Sequence, residues 1–503
     1  MPTINDECYW TEIARDCGSG AAPLRGTVEV DVAIIGAGIV GTVAARLLKD
    51  RGQRVALIEA GRAGHGVSGR STAKVTAQHS VVLQRIERGY GGDTASAYAE
   101  ANLAGVALIA DLTRRHMLAC DLEPADSWVY ALTDDGARRL EEERAAGERA
   151  GLLMEIAHDT PLPYNVRAAL RLVDQFQFQP VDFIAGLAAT LPGDGSFVFE
   201  HSLATDWTQT RVSTAAGSID AEGVVMATHL PLGQVGQFHA HTHPHMHAVM
   251  AVPVESDRAP AGMYISVDKP KRSLRSHRRE NGDTMLILTG PTFKHGDAAS
   301  AEDGFAELEA FAREHFGYAG AGYRWTNEDY EPRDGLPYMG WSGSAGNSLL
   351  VATGFDAWGL SNGAAAGLIL ADLCEERPNG WASCFDASRH SLHGLGKLAA
   401  DTAKTTAALI SGHVHAPAKV ENGDEGSVVD IGGRTSGLYR DPFGQLCAIS
   451  AVCTHMGCLL GWNPVDRTWD CSCHGSRFAA DGHVLHGPAV EPLSPIEIRR
   501  RAQ

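Results

Sequence analysis

The sequence predicts an α/β domain of the Rossmann type, an α+β domain interleaved with it, and a small all-β domain at the C-terminus. Three observations carry this. A β-branched run, Val28 to Ile35, leads straight into Gly36-Ala-Gly38-Ile-Val-Gly41 and an apolar helical stretch. Residues 235–295 are strand-rich, whereas 93–150 carry Ala, Leu, Glu and Arg at helical spacing. From Ser427 onward strands and turns dominate, and two Cys/His clusters lie among them.

The first element is the Gly-rich turn with its flanks. Gly36 allows the tight turn, Gly38 lets the backbone approach a pyrophosphate, and Gly41 lets helix and strand pack closely. The helix that follows, Thr42 to Lys49, offers unpaired N–H groups at its start. Arg54 to Ile58 reads as a second strand, and Glu59 at its end can accept from a ribose. The fingerprint alone does not separate NAD from FAD.

A second glycine-rich loop follows, with Gly64, Gly66, Gly69, Arg70, Ser71, Thr72 and Lys74. Asp93 to Arg115 and Asp135 to Ala150 read as helices, and Gln179-Pro180 precedes another. Ala221 to Thr228 reads as a further strand. Arg272-Ser273-Leu-Arg275 lies in an alternating stretch, where Arg275 is a candidate two-pronged clamp for a carboxylate. A surface arginine on an edge strand is the favoured reading there. Lys294 and His295 are weaker candidates of the same kind. His239, His241, His243, His245 and His247 would share one face at strand period. A polar strand face is the favoured reading there, with a metal site or proton relay as the alternative. Leu349 to Gly363 reads as strand, turn and helix start, and contains Gly354, Gly359 and Leu360.

The C-terminal clusters are Cys453-Thr-His455-Met-Gly-Cys458 and Cys471-Ser-Cys473-His474-Gly-Ser476. Each loop offers one thiolate and one imidazole: Cys453 with His455, Cys471 with His474. A [2Fe–2S] cluster with two Cys on one iron and two His on the other needs that set. A tetrahedral Cys2His2 zinc site is the competing reading.

The C-terminal segment resembles Rieske domains of the cytochrome bc type. That resemblance implies a Cys458–Cys473 disulfide tying the loops, a cluster hydrogen bond from Ser476, and a covering proline loop at Gly487-Pro488-Ala489. High-potential members carry Tyr where this chain has Phe478. The potential is therefore expected below the top of the range of about −150 to +300 mV.

The second Gly-rich loop, the Glu331-Pro-Arg-Asp334-Gly335-Leu-Pro337 block and the Thr353–Gly363 segment resemble the D-amino-acid oxidase and glycine oxidase superfamily. The match runs in family order over about residues 28–372. It implies FAD rather than NAD, held by Gly36, Gly38, Gly41, Glu59, Arg70, Ser71, Thr72, Gly354, Gly359 and Leu360. The expected architecture is an α/β FAD-binding Rossmann-type domain with an interleaved α+β substrate domain, plus a small all-β Rieske domain. The FAD-binding part would comprise 28–90, 150–230 and 331–395; the substrate part 91–149 and 231–330; a linker helix 396–417; and the Rieske part 418–503.

The chain has 503 residues, enough for two or three domains, and a net charge of −18. That charge argues against nucleic acid or an anionic membrane surface as partner. No apolar run approaches the roughly 18 residues of a spanning helix, and the N-terminus lacks a signal pattern, so a cytoplasmic protein is expected. Cys8, Cys17, Cys120, Cys374, Cys384 and Cys447 are scattered and read as free thiols.

A flavin takes two electrons from a C–H bond and gives them up singly, which a two-iron cluster requires. The resemblance implies a dehydrogenase oxidising a C–N bond of a small amine or amino acid, with an external one-electron acceptor or quinone. No catalytic base is assigned beyond the tentative Arg275 clamp. A reductase fed by pyridine nucleotide would need a second nucleotide fold, and no second strand–Gly-x-Gly-x-x-Gly–helix occurs. A redox-sensing electron-transfer protein is the remaining alternative. A mononuclear-iron oxygenase is disfavoured, because no Asp-x-x-His-x-x-x-x-His set is present.

Overall fold

The structure, a computed structural model, describes residues 4–15, 20–279, 281–343, 348–389, 426–441 and 443–497. The expected linker helix 396–417 and Cys17 lie outside them.

The Gly26–Ile35 strand runs through the middle of an eight-stranded sheet among the described residues. Val55–Ile58 lies parallel on one side and Gly217–Met226 on the other; Phe197–Phe199 and Leu350–Thr353 extend the parallel set. These strands are short, β-branched and buried on both faces, as a sheet covered by helices demands. The Ile39–Asp50 helix packs on it beside the Gly359–Cys374 helix. Gly363 and Gly367 make that approach possible: a Cβ on either would meet Ile39 or Val43. Gly36 has φ +101°, and a Cβ there would stand 2.5 Å from the Ala227 carbonyl oxygen.

A nine-stranded sheet roofs the first. At its centre Thr242–Val254 pairs antiparallel with Thr284–Phe293 and with Gly322–Pro332. The Ala298–Phe316 helix buries Phe305, Leu308 and Ala312 against its far face. Two strands depart from the expected division. Glu155–Ala157 and Ala168–Leu172, placed by sequence in the FAD-binding part, extend the roof instead: Ala168–Leu172 pairs antiparallel with Ser127–Ala131, and Glu155–Ala157 pairs with Ala168–Leu172 at the edge. Alternation in so short a strand specifies a face but not which sheet it joins.

The C-terminal residues form a three-stranded antiparallel sheet, Ser427–Asp430, Thr435–Arg440 and Leu446–Ser450. A four-stranded sheet follows: Leu460–Asn463, Thr468–Cys471, Arg477–Ala479 and Val484–His486. Trp462, Trp469 and Phe478 fill the core between them. This unit docks on the roof and on the first sheet. The Gly233 N–H donates to the Pro488 carbonyl at 2.9 Å, and the Tyr330 hydroxyl donates to the His474 carbonyl at 3.3 Å. Gly296 and Gly461 bring backbone against backbone, with no room for a side chain on either.

The firmest tie is ionic. Asp466, on the turn after Leu460–Asn463, accepts from Arg70 at 2.6 Å and from Arg477 at 2.7 Å, and the Thr326 hydroxyl also donates to it. Among the described residues no helix is long and apolar enough to cross a membrane.

Candidate functional site

One cavity of about 480 Å³ lies between the two large sheets. Gly36 and Gly38 line it from the fingerprint turn, and Glu59 from the end of the second strand. Ser71 and Thr72 line it from the second loop, and Gly359 and Leu360 from a helix start. Two helix N-termini thus open onto one space, an arrangement that favours negative charge. Glu59 accepts from the Ala37 and Gly61 N–H groups at 2.9 and 2.8 Å, which fixes the carboxylate at the cavity wall. Burial pushes its pKa up. The residues present fit a dinucleotide that lays its phosphates on the Gly36–Ile39 turn.

Three expected contacts fall elsewhere. Gly41 faces the Gly36 carbonyl, so it serves the packing of turn against helix. Gly354 has φ +76° and abuts Pro332 and Tyr338. Arg70 turns away from the cavity altogether: its guanidinium binds the Thr326 carbonyl and Asp466. It is a domain tie rather than a cofactor contact, because the loop presents it to the C-terminal domain.

Arg275 also requires correction. It is fully buried but does not line the cavity. Its Nε donates to the Thr72 carbonyl and its Nη2 to the Phe178 carbonyl, both at 2.8 Å, and the guanidinium lies 4.7 Å from the Trp10 ring centroid. No donor pair is left for a substrate carboxylate. Arg275→Lys is expected to lower stability by about 2–3 kcal/mol, since a planar fork is exchanged for a point charge. Thermal unfolding would register that, with the substrate KM within two-fold of the unsubstituted enzyme.

The cavity holds charges that sequence reasoning passed over. Lys271, Asp329, Glu331 and Asp356 line it. Asp329 accepts from the Tyr330 and Ala357 N–H groups, yet burial, with Asp356 adjoining, pushes its pKa up to about 8. The acids at 328, 329 and 331 on one strand were the available signal, but alternation does not say that the strand faces a cofactor.

The histidine stripe divides. Phe238–His241 is a helical turn, and only from Thr242 does the chain become a strand. His243, His245 and His247 line the cavity, and both ring nitrogens of His247 are buried without a partner. The favoured reading of a plain polar strand face does not hold, nor do five imidazoles share one side. His239 instead lies edge-on between His455 and His474, with ring centroids 4.9 and 5.1 Å away.

His455 and His474 are 5.1 Å apart by ring centroid, and the Cys453 and Cys471 thiols are in mutual hydrogen-bond contact. Each pair draws one member from each of the two loops. The His455 Nδ1 is buried with no partner, which suits a metal ligand, while its Nε2 meets the Gln234 side-chain nitrogen at 3.2 Å. Cys458 and Cys473 form the expected disulfide. The sulfurs of Cys458, Cys471 and Cys473 crowd within 4.8 Å, but the disulfide occupies two, so that trio is not a ligand set. Ser476 is fully buried; its hydroxyl accepts from the Ala489 N–H at 3.1 Å and helps lower the pKa of the Cys453 thiol.

The C-terminal domain supplies part of the cavity wall. Val484, Leu485, His486 and Gly487 of the C-terminal domain line the same cavity as Gly36 and Glu59.

Residues 31–373 match the model of the FAD dependent oxidoreductase family, and residues 412–497 that of the Rieske [2Fe-2S] domain. YhfW of Bacillus subtilis (strain 168), named for a Rieske 2Fe-2S iron-sulfur centre, is 32% identical over 98% of each chain. Gamma-glutamylputrescine oxidoreductase of Escherichia coli (strain K12) is 29% identical over 42% of this chain and 51% of its own. Among solved structures, glycine oxidase from Geobacillus kaustophilus superposes with a TM-score of 0.58 at 20% identity, covering 72% of this chain and all of its own. L-proline dehydrogenase from P. horikoshii gives 0.57 at 17% identity over 73% of this chain and 98% of its own. At these identities the two structures speak to the fold alone.

Proposed function

The chain belongs to the FAD dependent oxidoreductase family and carries a Rieske [2Fe-2S] domain, and from that premise we propose a dehydrogenase of small amines or amino acids that passes electrons singly to its cluster and then to an external acceptor. The observation that carries this reading is that wall: residues 484–487 of the Rieske domain border the flavin cavity. Electron transfer between the centres then needs no domain movement.

Gly36, Gly38, Glu59, Ser71, Thr72, Gly359 and Leu360 would hold FAD, and Cys453, His455, Cys471 and His474 the cluster. FAD supplies hydride acceptance and the cluster one-electron transfer. The protein's own residues bind, orient and exclude water. The start of the Gly359–Cys374 helix directs its positive end at the cavity, favouring the charge that reduction brings. Burial raises the Asp329 carboxyl, whose two oxygens accept from the Tyr330 and Ala357 N–H groups, so near neutrality it adds little charge to the cavity.

A C–N substrate is supported by the cavity's mixture of Lys271 with Asp356 and Glu331, groups suited to a molecule with an ammonium and an anionic end. A relative that is a glutamylputrescine oxidoreductase, and fold neighbours that are a glycine oxidase and a proline dehydrogenase, lie in the same chemical range. Anaerobic titration with a panel of amines and amino acids tests the reading. Bleaching of the flavin by one of them, followed by cluster reduction, is expected. Bleaching by NADH alone would replace it with a reductase.

A further inference from the structure

Between the flavin cavity and the cluster loops lies a group of side chains to which the proposed chemistry assigns no task. Glu328 is fully buried on the Gly322–Pro332 strand. Its Oε1 lies 3.0 Å from the His486 Nδ1, and its Oε2 lies 3.3 Å from the His295 Nε2. His229, whose Nε2 is buried without a partner, faces the same carboxylate. His486 and His229 both line the cavity. His229 also stacks edge-on with Tyr330 at 4.9 Å, and Tyr330 donates to the His474 carbonyl. The group therefore touches the cavity on one side and a cluster-ligand loop on the other.

We propose that Glu328 and His486 form the proton-holding site that serves electron transfer from flavin to cluster. The inference rests on the reading that electrons take this route. When a reduced flavin passes two electrons, one at a time, to the cluster and on to a one-electron acceptor, it also sheds one proton. That proton must leave the cavity, and His486 stands at its wall. His486 turns Nδ1 toward Glu328, which leaves Nε2 to take the proton, and the resulting imidazolium has the carboxylate as its counter-ion.

The surrounding charges agree. Glu328 is faced by His486, His295, Arg477 and His229; burial opposes its ionisation, but these groups outweigh burial and hold the carboxyl well below the usual range. Burial keeps His486 below its ordinary value, with Arg477 and Arg70 opposing a proton there and Glu328 and Asp470 favouring it. Arg477 is already bound to Asp466 and Asp470, so it is not the carboxylate's dedicated partner. At rest the site is thus a buried carboxylate beside two imidazoles, His486 and His229, that burial disposes to the neutral form, with capacity for one proton. MWC-type movement is not required; the groups are in place in a single conformation.

The test uses the full-length holoenzyme and no substrate. The flavin is reduced by flash photolysis with a deazaflavin donor, and arrival of the electron on the cluster is followed by absorbance and EPR in H2O and D2O. Glu328→Gln and His486→Gln are compared with the unsubstituted protein. The unsubstituted enzyme is expected to show a solvent isotope effect on transfer. Each variant should slow transfer at least about ten-fold, within the range for loss of a positioned proton acceptor, and lose the isotope effect. His486 lies on an edge strand of the small domain, so that variant can be read if Glu328→Gln fails to load its cofactors. Unchanged rate and isotope effect in the loaded variants overturn the proposal alone. Absence of any transfer in the unsubstituted protein overturns the parent reading and this one with it.

Discussion

Cys471→Ser is expected to empty the two-iron site and leave the flavin in place. A serine hydroxyl does not ionise near neutrality, and the soft iron centre needs a thiolate. Cys471 is 1% exposed at the end of the Thr468–Cys471 strand, so no neighbouring group can move in to replace it. The Cys458–Cys473 disulfide still ties the two loops, and Val484–His486 still pairs with Arg477–Ala479, so the cavity wall survives. Iron analysis should fall from about two per chain to background, the cluster EPR signal should vanish, and flavin absorbance should remain. Substrate should still bleach the flavin, while turnover with a one-electron acceptor drops by at least about a hundred-fold, because the singly accepting relay is gone. Metal analysis of the unsubstituted protein separates this centre from zinc, which would give no colour and no EPR signal.

The second large effect is expected at Asp466. Replacement by Ala removes the partner of two guanidiniums at once, Arg70 from the flavin domain and Arg477 from the Rieske domain. Losing the charged hydrogen bonds of this shared carboxylate costs about 1.5–3 kcal/mol, less than an uncompensated buried charge would, because each guanidinium keeps another partner. Arg477 is 4% exposed and keeps Asp470, so Arg70, at 20%, is the one freed toward water. Differential scanning calorimetry should resolve the transition of the Rieske domain from that of the flavin domain, or shift it down by several degrees.

The same residue predicts an acid sensitivity. Burial pushes the Asp466 carboxyl up, but Arg70, Arg477 and the Thr326 hydroxyl outweigh burial and hold it below its ordinary value. A depressed carboxyl adds stability that is complete above its unfolded pKa of about 3.9 and is lost as pH falls toward the folded value. Docking should therefore weaken below about pH 4 in the unsubstituted protein, and Asp466→Asn should abolish that dependence. Limited proteolysis across the pH range reads the separation.

Both cofactor fingerprints were legible because each is local. Gly36, Gly38 and Glu59 occupy one βαβ unit, and Cys453, His455, Cys471 and His474 two adjacent loops. What the sequence did not show depends on distant partners. Arg275 looked available for a ligand because alternation gives the face of a residue and not what covers it; Trp10, from the N-terminal segment, lies over it. Arg70 looked like an FAD contact from the resemblance of its glycine-rich loop, yet its partner Asp466 is 396 positions away. The histidine stripe was read at strand period throughout, whereas its first members belong to a helical turn closing on the cluster. Glu328 carried no recognisable motif; its importance comes from three imidazoles supplied by three separate segments.

The wall formed by residues 484–487 has a consequence for biosynthesis. A chain leaving the ribosome exposes the Gly36 turn early, but the last side of the chamber beside it emerges more than four hundred residues later. Until the C-terminus is released, the chamber stays open to bulk water on that flank. Maturation is thereby ordered: a chain that stops short of residue 484 carries the residues of the nucleotide fold but lacks that side of the cavity.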